Sequence, residues 1–132
     1  MAAPADLRFL VVDDFSTVRR VVRRQLADMG CERVEEAADG DGALAILKAG
    51  GIDFVVADIH MPGLNGLALL ESIKADEALR RLPVLMVSAD AGRETIVAAA
   101  QAGAAGYLVK PFTRATLQEK VRRILQARAA GG

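Results

Sequence analysis

The stretch Phe9-Leu10-Val11-Val12-Asp13-Asp14-Phe15-Ser16 runs four apolar residues together and then sets two carboxylates side by side. A short continuous apolar run, with no polar residue alternating through it, is the pattern of a strand covered on both faces. The two acids therefore stand where the chain leaves that strand. Strands covered on both faces belong to parallel sheets held between layers of helices, so this run sets the fold class.

Working outward, the run extends from Leu7 to Val12, and four more segments follow at Arg33 to Ala37, Ile52 to Ala57, Val84 to Val87 and Gly106 to Val109. Helical spacing fills the gaps between them. Val18, Val21, Val22, Leu26 and Met29 fall on one face of a first helix, with Arg19, Arg20, Arg23 and Arg24 on the other; Leu117, Val121, Ile124 and Leu125 form the apolar face of a last one. Gly30, Gly50-Gly51 and Gly103 stand where helices should stop, Asn65 where a third helix should be capped, and Pro83 just ahead of a strand. The alternation predicts a three-layer α/β sandwich around a parallel sheet.

The chain has 132 residues, enough for one domain that buries roughly two thirds of its unfolded surface. Seventeen Lys and Arg balance seventeen Asp and Glu, which argues against a general nucleic-acid or anionic-membrane binder. The single cysteine, Cys31, cannot form an internal disulfide, as suits a reducing cytoplasm. Neither a signal-peptide pattern nor a stretch of about 20 apolar residues is present, so a cytoplasmic protein without membrane insertion is expected. No linker, repeat or second domain is legible: residues 1–132 read as one domain with no effector domain, and 1–6 and 128–132 as flexible ends.

Ligands of an open parallel sheet gather at the carboxyl ends of its strands. There the sequence places Asp13 and Asp14 after the first strand, Asp58 after the third, Ser88 after the fourth and Lys110 after the fifth. Taken singly, each has a plainer reading: an aspartate capping the next helix, a serine in a turn, a solvated lysine. Together they put three carboxylates, a hydroxyl and an ammonium on one edge. Carboxylates so placed repel one another by roughly 4 kcal/mol per pair at ~4 Å in an effective dielectric of about 20. Lys110 offers only one compensating charge, which leaves room for a hard cation; Mg²⁺, which takes a few carboxylates and recruits phosphate oxygens, fits best. Since a carboxylate can also attack phosphorus, the cluster suits phosphoryl transfer onto an aspartate.

Asp13-Asp14, Asp58, Ser88 and Lys110-Pro111 closely resemble the signature of response-regulator receiver domains, and the similarity covers essentially the whole chain. The stretches FLVVDDFSTVRR, NGLALLESI, LPVLMVSAD and AAAQAGAAGYLVKPFT resemble the chemotaxis members of that family. The resemblance implies a flavodoxin-like (βα)5 fold, a five-stranded parallel sheet in the order 2-1-3-4-5. It implies that Asp58 accepts a phosphoryl group from a chemotaxis histidine kinase, with Lys110 paired to that group and Ser88 turning to hydrogen-bond it. It implies Mg²⁺ held by Asp14 and Asp58 directly, by Asp13 through water and by the backbone carbonyl of His60, and a cis Lys110-Pro111 bond. Tyr107 corresponds to an aromatic switch that swings inward as Ser88 is drawn in. Arg93, Ile96, Tyr107, Val109 and Lys120, on the fourth helix, fifth strand and fifth helix, correspond to the surface that meets kinase and flagellar motor switch peptides.

Some residues depart from the pattern. His60 stands where relatives often carry Asn; the resemblance implies that His60 and Asp90 flank the approach of hydrolytic water, as these positions do in the family, so the two are expected to modulate dephosphorylation. Ile59 replaces a common tryptophan, and the chain has no Trp. The arginine face of the first helix reads either as a solvated surface or as a docking surface for an acidic kinase or phosphotransfer domain.

The leading functional expectation is thus a stand-alone, monomeric chemotaxis response regulator acting on the flagellar motor switch, a signalling protein that catalyses only its own phosphorylation and dephosphorylation. A phosphate sink that drains the kinase without binding the motor is the alternative, and a dedicated phosphatase partner is left open. A Mg²⁺-dependent phosphohydrolase is disfavoured because the paired acids are adjacent and the nucleophile lies on another strand. Neither Gly-x-x-x-x-Gly-Lys nor Gly-x-Gly-x-x-Gly occurs, which speaks against a nucleotide-binding module.

Overall fold

The computed structural model describes residues 4–130. After a 3-10 turn at Pro4–Asp6 the chain alternates strictly: β1 Arg8–Val12, α1 Ser16–Ala27, β2 Arg33–Ala37, α2 Gly40–Ala49, β3 Phe54–Asp58, α3 Gly66–Ala75, β4 Val84–Ser88, α4 Arg93–Gln101, β5 Gly106–Val109 and α5 Arg114–Ala130. All strands pair in parallel, in the order β2-β1-β3-β4-β5. The expected three-layer sandwich and its strand order are therefore present.

Side chains of alternate strand residues point to opposite faces, and this divides the interior in two. Leu10, Val12, Val55, Ala57, Val84 and Met86 pack with Leu47 of α2, Leu69, Leu70 and Ile73 of α3 and Ala99 of α4. Phe9, Val11, Phe54, Val56, Leu85, Val87 and Leu108 pack on the other side with Val22 and Leu26 of α1 and Leu117, Val121 and Ile124 of α5. The Phe9 and Phe54 rings stack across β1 and β3 with centroids 5.0 Å apart. Every residue of β3 and β4 is buried, which explains why these strands read as unbroken apolar runs.

Sequence and structure differ at a few element edges. Ile52 and Asp53 precede β3: the Asp53 N–H donates to the Arg8 carbonyl and its carboxylate accepts the Arg8 N–H, a link that starts the β1–β3 pairing before the ladder begins. At the other end β3 and β4 run one residue further than their apolar stretches, to Asp58 and Ser88, which makes these polar groups part of the sheet. Val21, expected on the buried face of α1, is 45% exposed: Val22 and Leu26 are the buried contact with the sheet, and Val18 and Met29 pack partly buried beside them. Gly50, closing α2 at φ 89°, and Gly103, after α4 at φ 101°, end their helices in the left-handed region as expected. At the chain's far end residues 128–130 continue α5, with Arg128 donating to the Arg81 carbonyl; the other residues expected to be flexible at the two ends include 1–3 and 131–132, which lie outside the described range.

Candidate functional site

β1 and β3 are neighbours, so their carboxyl ends bring Asp13 and Asp58 together although 44 residues lie between them in sequence. Carboxylate oxygens of Asp13, Asp14 and Asp58 all lie within 4.8 Å of one another. Asp13 and Asp58 are buried, 3% and 5% exposed. Lys110 reaches across from beyond β5, its Nζ 3.0 Å from Asp13 Oδ2 and 3.1 Å from Asp58 Oδ2. Its own backbone N–H donates to the Ser88 carbonyl, and the Lys110–Pro111 peptide is cis as expected.

The three carboxylates have distinct surroundings. Asp13 Oδ1 accepts the Phe15 N–H at 2.9 Å and Oδ2 accepts Lys110, so both oxygens have donors. Asp58 Oδ1 accepts the His60 N–H at 3.2 Å, and Oδ2 accepts Lys110. Asp14 Oδ1, in contrast, is buried with no hydrogen-bond partner among the described residues. A buried carboxylate oxygen without a donor is costly, and its natural complement is a cation. The donor set is all oxygen and anionic, which suits Mg²⁺, and the residues present therefore fit the metal. Neither Asp13 nor Asp14 caps α1: the cap position is Phe15, which offers no side-chain bond, so the plain reading of these acids as helix caps does not hold.

Burial pushes the Asp58 carboxyl above the ordinary aspartate range, against the hydrogen bond and charge of Lys110 and with a smaller push from Asp13. Burial likewise acts to lower Lys110, but its hydrogen bonds to Asp13 and Asp58 outweigh this and leave it raised. The two partners fare differently for a physical reason. One ammonium collects two carboxylates, whereas Asp58 is nearly enclosed and shares its only cation with a second acid. The cluster is thus under-neutralised by its own residues.

Ser88 is fully buried, and its Oγ accepts the Asp90 N–H at 3.0 Å. Tyr107 is half-buried, with its hydroxyl donating to the Asp90 carbonyl at 2.6 Å. His60 is exposed and Asp90 half-buried; the Asp90 carboxyl is held low first by the Thr95 hydroxyl, then by the Gly92 N–H, with a smaller contribution from His60. Arg93 is exposed on α4, and Ile96, Tyr107, Val109 and Lys120 are half-buried on α4, β5 and α5, so the expected partner-binding residues lie on three consecutive elements around the free edge of the sheet.

Other residues matter here that the sequence reading passed over. A Cβ on Gly66 would sit 2.1 Å from the Asp58 carbonyl oxygen, so the start of α3 can lie against the strand end only with glycine there. The Gly66 N–H donates to Ile59, and Asn65 Oδ1 caps the helix through the Ala68 N–H at 2.9 Å. The Asn65-Gly66 dipeptide was a visible signal of this turn. The arginine face of α1 is divided. Arg19 donates to the Asp13 carbonyl at 2.7 Å and to Glu36 at 2.9 Å, and Arg23 also binds Glu36, while Arg20 and Arg24 stay exposed beside Val21. Glu36 follows Glu35 directly in β2, and nothing local to either element showed its pairing with the arginines of α1.

Residues 9–122 match the response regulator receiver domain model. The chain belongs to the response-regulator receiver family. Among receiver-family relatives, it is 54% identical over 121 residues to chemotaxis protein CheY-3 of Vibrio cholerae, covering 92% of this chain and 93% of that one. It is 50% identical over 120 residues to chemotaxis protein CheY of Pseudomonas aeruginosa, covering 91% and 97%. A CheY-like receiver domain protein of Methanospirillum hungatei superposes with a TM-score of 0.86 at 31% identity, over 96% of this chain and 98% of that one. The chemotaxis response regulator CheY4 of V. cholerae gives 0.83 at 33% identity, over 89% and 98%. The receiver is thus of the CheY type, and no helix among the described residues is long and apolar enough to cross a membrane.

Proposed function

We propose that this receiver is a chemotaxis response regulator that takes a phosphoryl group onto Asp58 from a histidine kinase and then docks on the flagellar motor switch. The observation that carries the reading is the junction of three carboxylates within 4.8 Å and a single ammonium bridging two of them, at the carboxyl ends of neighbouring strands. Asp58 is the proposed nucleophile. An oxygen of its carboxylate bonds to phosphorus as the P–N bond to the kinase's phosphohistidine breaks, and the electron pair leaves with the imidazole.

Lys110 faces the same oxygens and would hold the negative charge gathering on the transferred group. Asp14 and Asp58 would hold Mg²⁺, with Asp13 outside them and the His60 carbonyl completing the set; when bound, the metal supplies positive charge for the phosphoryl oxygens. Ser88 would hydrogen-bond the phosphoryl group, and Tyr107 would answer that movement. His60 and Asp90 flank the mouth through which hydrolytic water enters. Docking uses Arg93, Ile96, Tyr107, Val109 and Lys120.

Incubation with acetyl phosphate and Mg²⁺, read by intact mass, tests the chemistry. One labile phosphoryl group per chain is expected, lost in Asp58→Asn and absent when Mg²⁺ is chelated. Turnover of many phosphate esters without a stable adduct would make the protein a phosphohydrolase instead. Binding of the phosphorylated form to the motor switch protein tests the output, and a phosphorylated protein that does not bind would be a phosphate sink.

A further inference from the structure

Asp90 is joined to its surroundings through all four of its polar groups. Its N–H donates to Ser88 Oγ at 3.0 Å, and its carbonyl accepts the Tyr107 hydroxyl at 2.6 Å. Its carboxylate accepts the Gly92 N–H at 2.7 Å on Oδ1 and the Thr95 hydroxyl at 2.6 Å on Oδ2. One residue thus ties the hydroxyl at the end of β4, the start of α4 and the tyrosine of β5. Gly92, the cap position of α4, offers no side-chain bond of its own, so the Asp90 carboxylate is what fastens this loop to the helix. A Cβ on Gly92 would lie 2.8 Å from Asp90 Oδ1, which shows how closely the loop is drawn in.

The plain role of such a carboxylate is to close a turn before a helix, and the Gly92 bond alone does that. The Thr95 bond adds something the turn does not need. It comes from the first turn of α4, five residues along, and fixes the carboxylate on its second oxygen. With both carboxylate oxygens held and its N–H bonded to Ser88 Oγ, Asp90 is braced on three sides where its carbonyl accepts the Tyr107 hydroxyl.

We propose that Thr95 is a positioning residue of the tyrosine switch: its hydroxyl holds Asp90 so that the Asp90 carbonyl keeps Tyr107 turned in. Tyr107's role as the switch rests on the function proposed above. The bond to Asp90 does not, because it follows from the positions of the two residues alone. Removing the Thr95 hydroxyl shifts Tyr107 outward while leaving Asp58, Asp13, Asp14 and Lys110 in place.

The chain has one tyrosine and no tryptophan, so intrinsic fluorescence reports Tyr107 alone. Thr95→Val removes the hydroxyl at nearly constant shape, and Thr95→Ser keeps it. In the unphosphorylated protein, acrylamide quenching of tyrosine fluorescence is expected to rise in Thr95→Val, reflecting about a fivefold increase in the ratio of outward to inward rings, the effect of losing one ordinary hydrogen bond. Thr95→Ser should quench like the wild type. Phosphoryl uptake from acetyl phosphate should stay at one group per chain in both variants.

Equal quenching in Thr95→Val and wild type would overturn the proposal, as would Thr95→Ser behaving like Thr95→Val. Should Thr95→Val fail to fold, Asp90→Asn, which weakens the same bond from the other side, must raise quenching for the proposal to stand. Loss of phosphoryl uptake in the wild type would sink the function proposed above without touching the quenching result.

Discussion

At the scale of single residues the site is decided by which oxygen has which donor. Asp13 and Asp58 each give an oxygen to Lys110, and Asp14 keeps one buried oxygen with none. The raised Asp58 carboxyl has a thermodynamic consequence. A group that binds its proton more tightly folded than unfolded makes the fold less stable once it ionises. The loss sets in as pH rises through the unfolded aspartate value of about 3.9 and is complete above the raised folded value. Asp58→Asn removes that charge, so the metal-free variant is expected to melt above metal-free wild type at neutral pH, the gap closing in acid. Mg²⁺ should raise the wild-type Tm more than the variant's. Thermal melts at pH 7 and below pH 4, with and without Mg²⁺, check this; a metal-free Asp58→Asn that melts lower at pH 7 would contradict it. Asp13, Asp14, Asp58, Ser88 and Lys110 were legible in the sequence because a polar residue closing an apolar run is a local pattern. Thr95 and Arg19 were not, since each acts through a partner that only folding brings near.

Elements succeed or fail here at their ends. α3 starts against the last residue of β3, and Gly66 is the point of closest approach. In an exposed helix Gly→Ala stabilises by up to about 1 kcal/mol. Here the new Cβ would meet the Asp58 carbonyl oxygen at 2.1 Å, a backbone atom, with no flexible side chain to yield. Gly66→Ala is therefore expected to cost about 1–3 kcal/mol, the range for overpacking, and to slow phosphoryl uptake by moving Asp58. Urea unfolding and the acetyl phosphate assay read the two effects; a stabilised, fully active Gly66→Ala would refute the contact. Strand cores and helix faces were readable from periodicity at this scale. The extension of β3 and β4 to Asp58 and Ser88 was not, because a polar residue can continue a ladder as well as end it.

For the molecule as a whole, the sheet order distributes stability unevenly. β1 and β3 have strand neighbours on both sides and helices on both faces. β5 is an edge, and of α4 only Ala99 is fully buried. Native-state hydrogen exchange should therefore show Leu10, Val11, Val55 and Val56 opening only with global unfolding, and α4 amides exchanging well before them. Protection of α4 equal to that of β1 would contradict this uneven distribution of stability. The sequence by itself determined the alternation of buried strands and amphipathic helices and the kinds of groups at the strand ends, because periodicity and punctuation act over a few residues. It showed the strand order only by family resemblance, since pairing joins segments far apart along the chain. Tertiary structure alone decided that β1 lies against β3, bringing Asp13 to Asp58, and that Lys110 reaches past β4 to Asp58 and past β4 and β3 to Asp13. It also left Asp14 the carboxylate with an unpartnered oxygen, because donor and acceptor counts are settled only once every neighbour is in place.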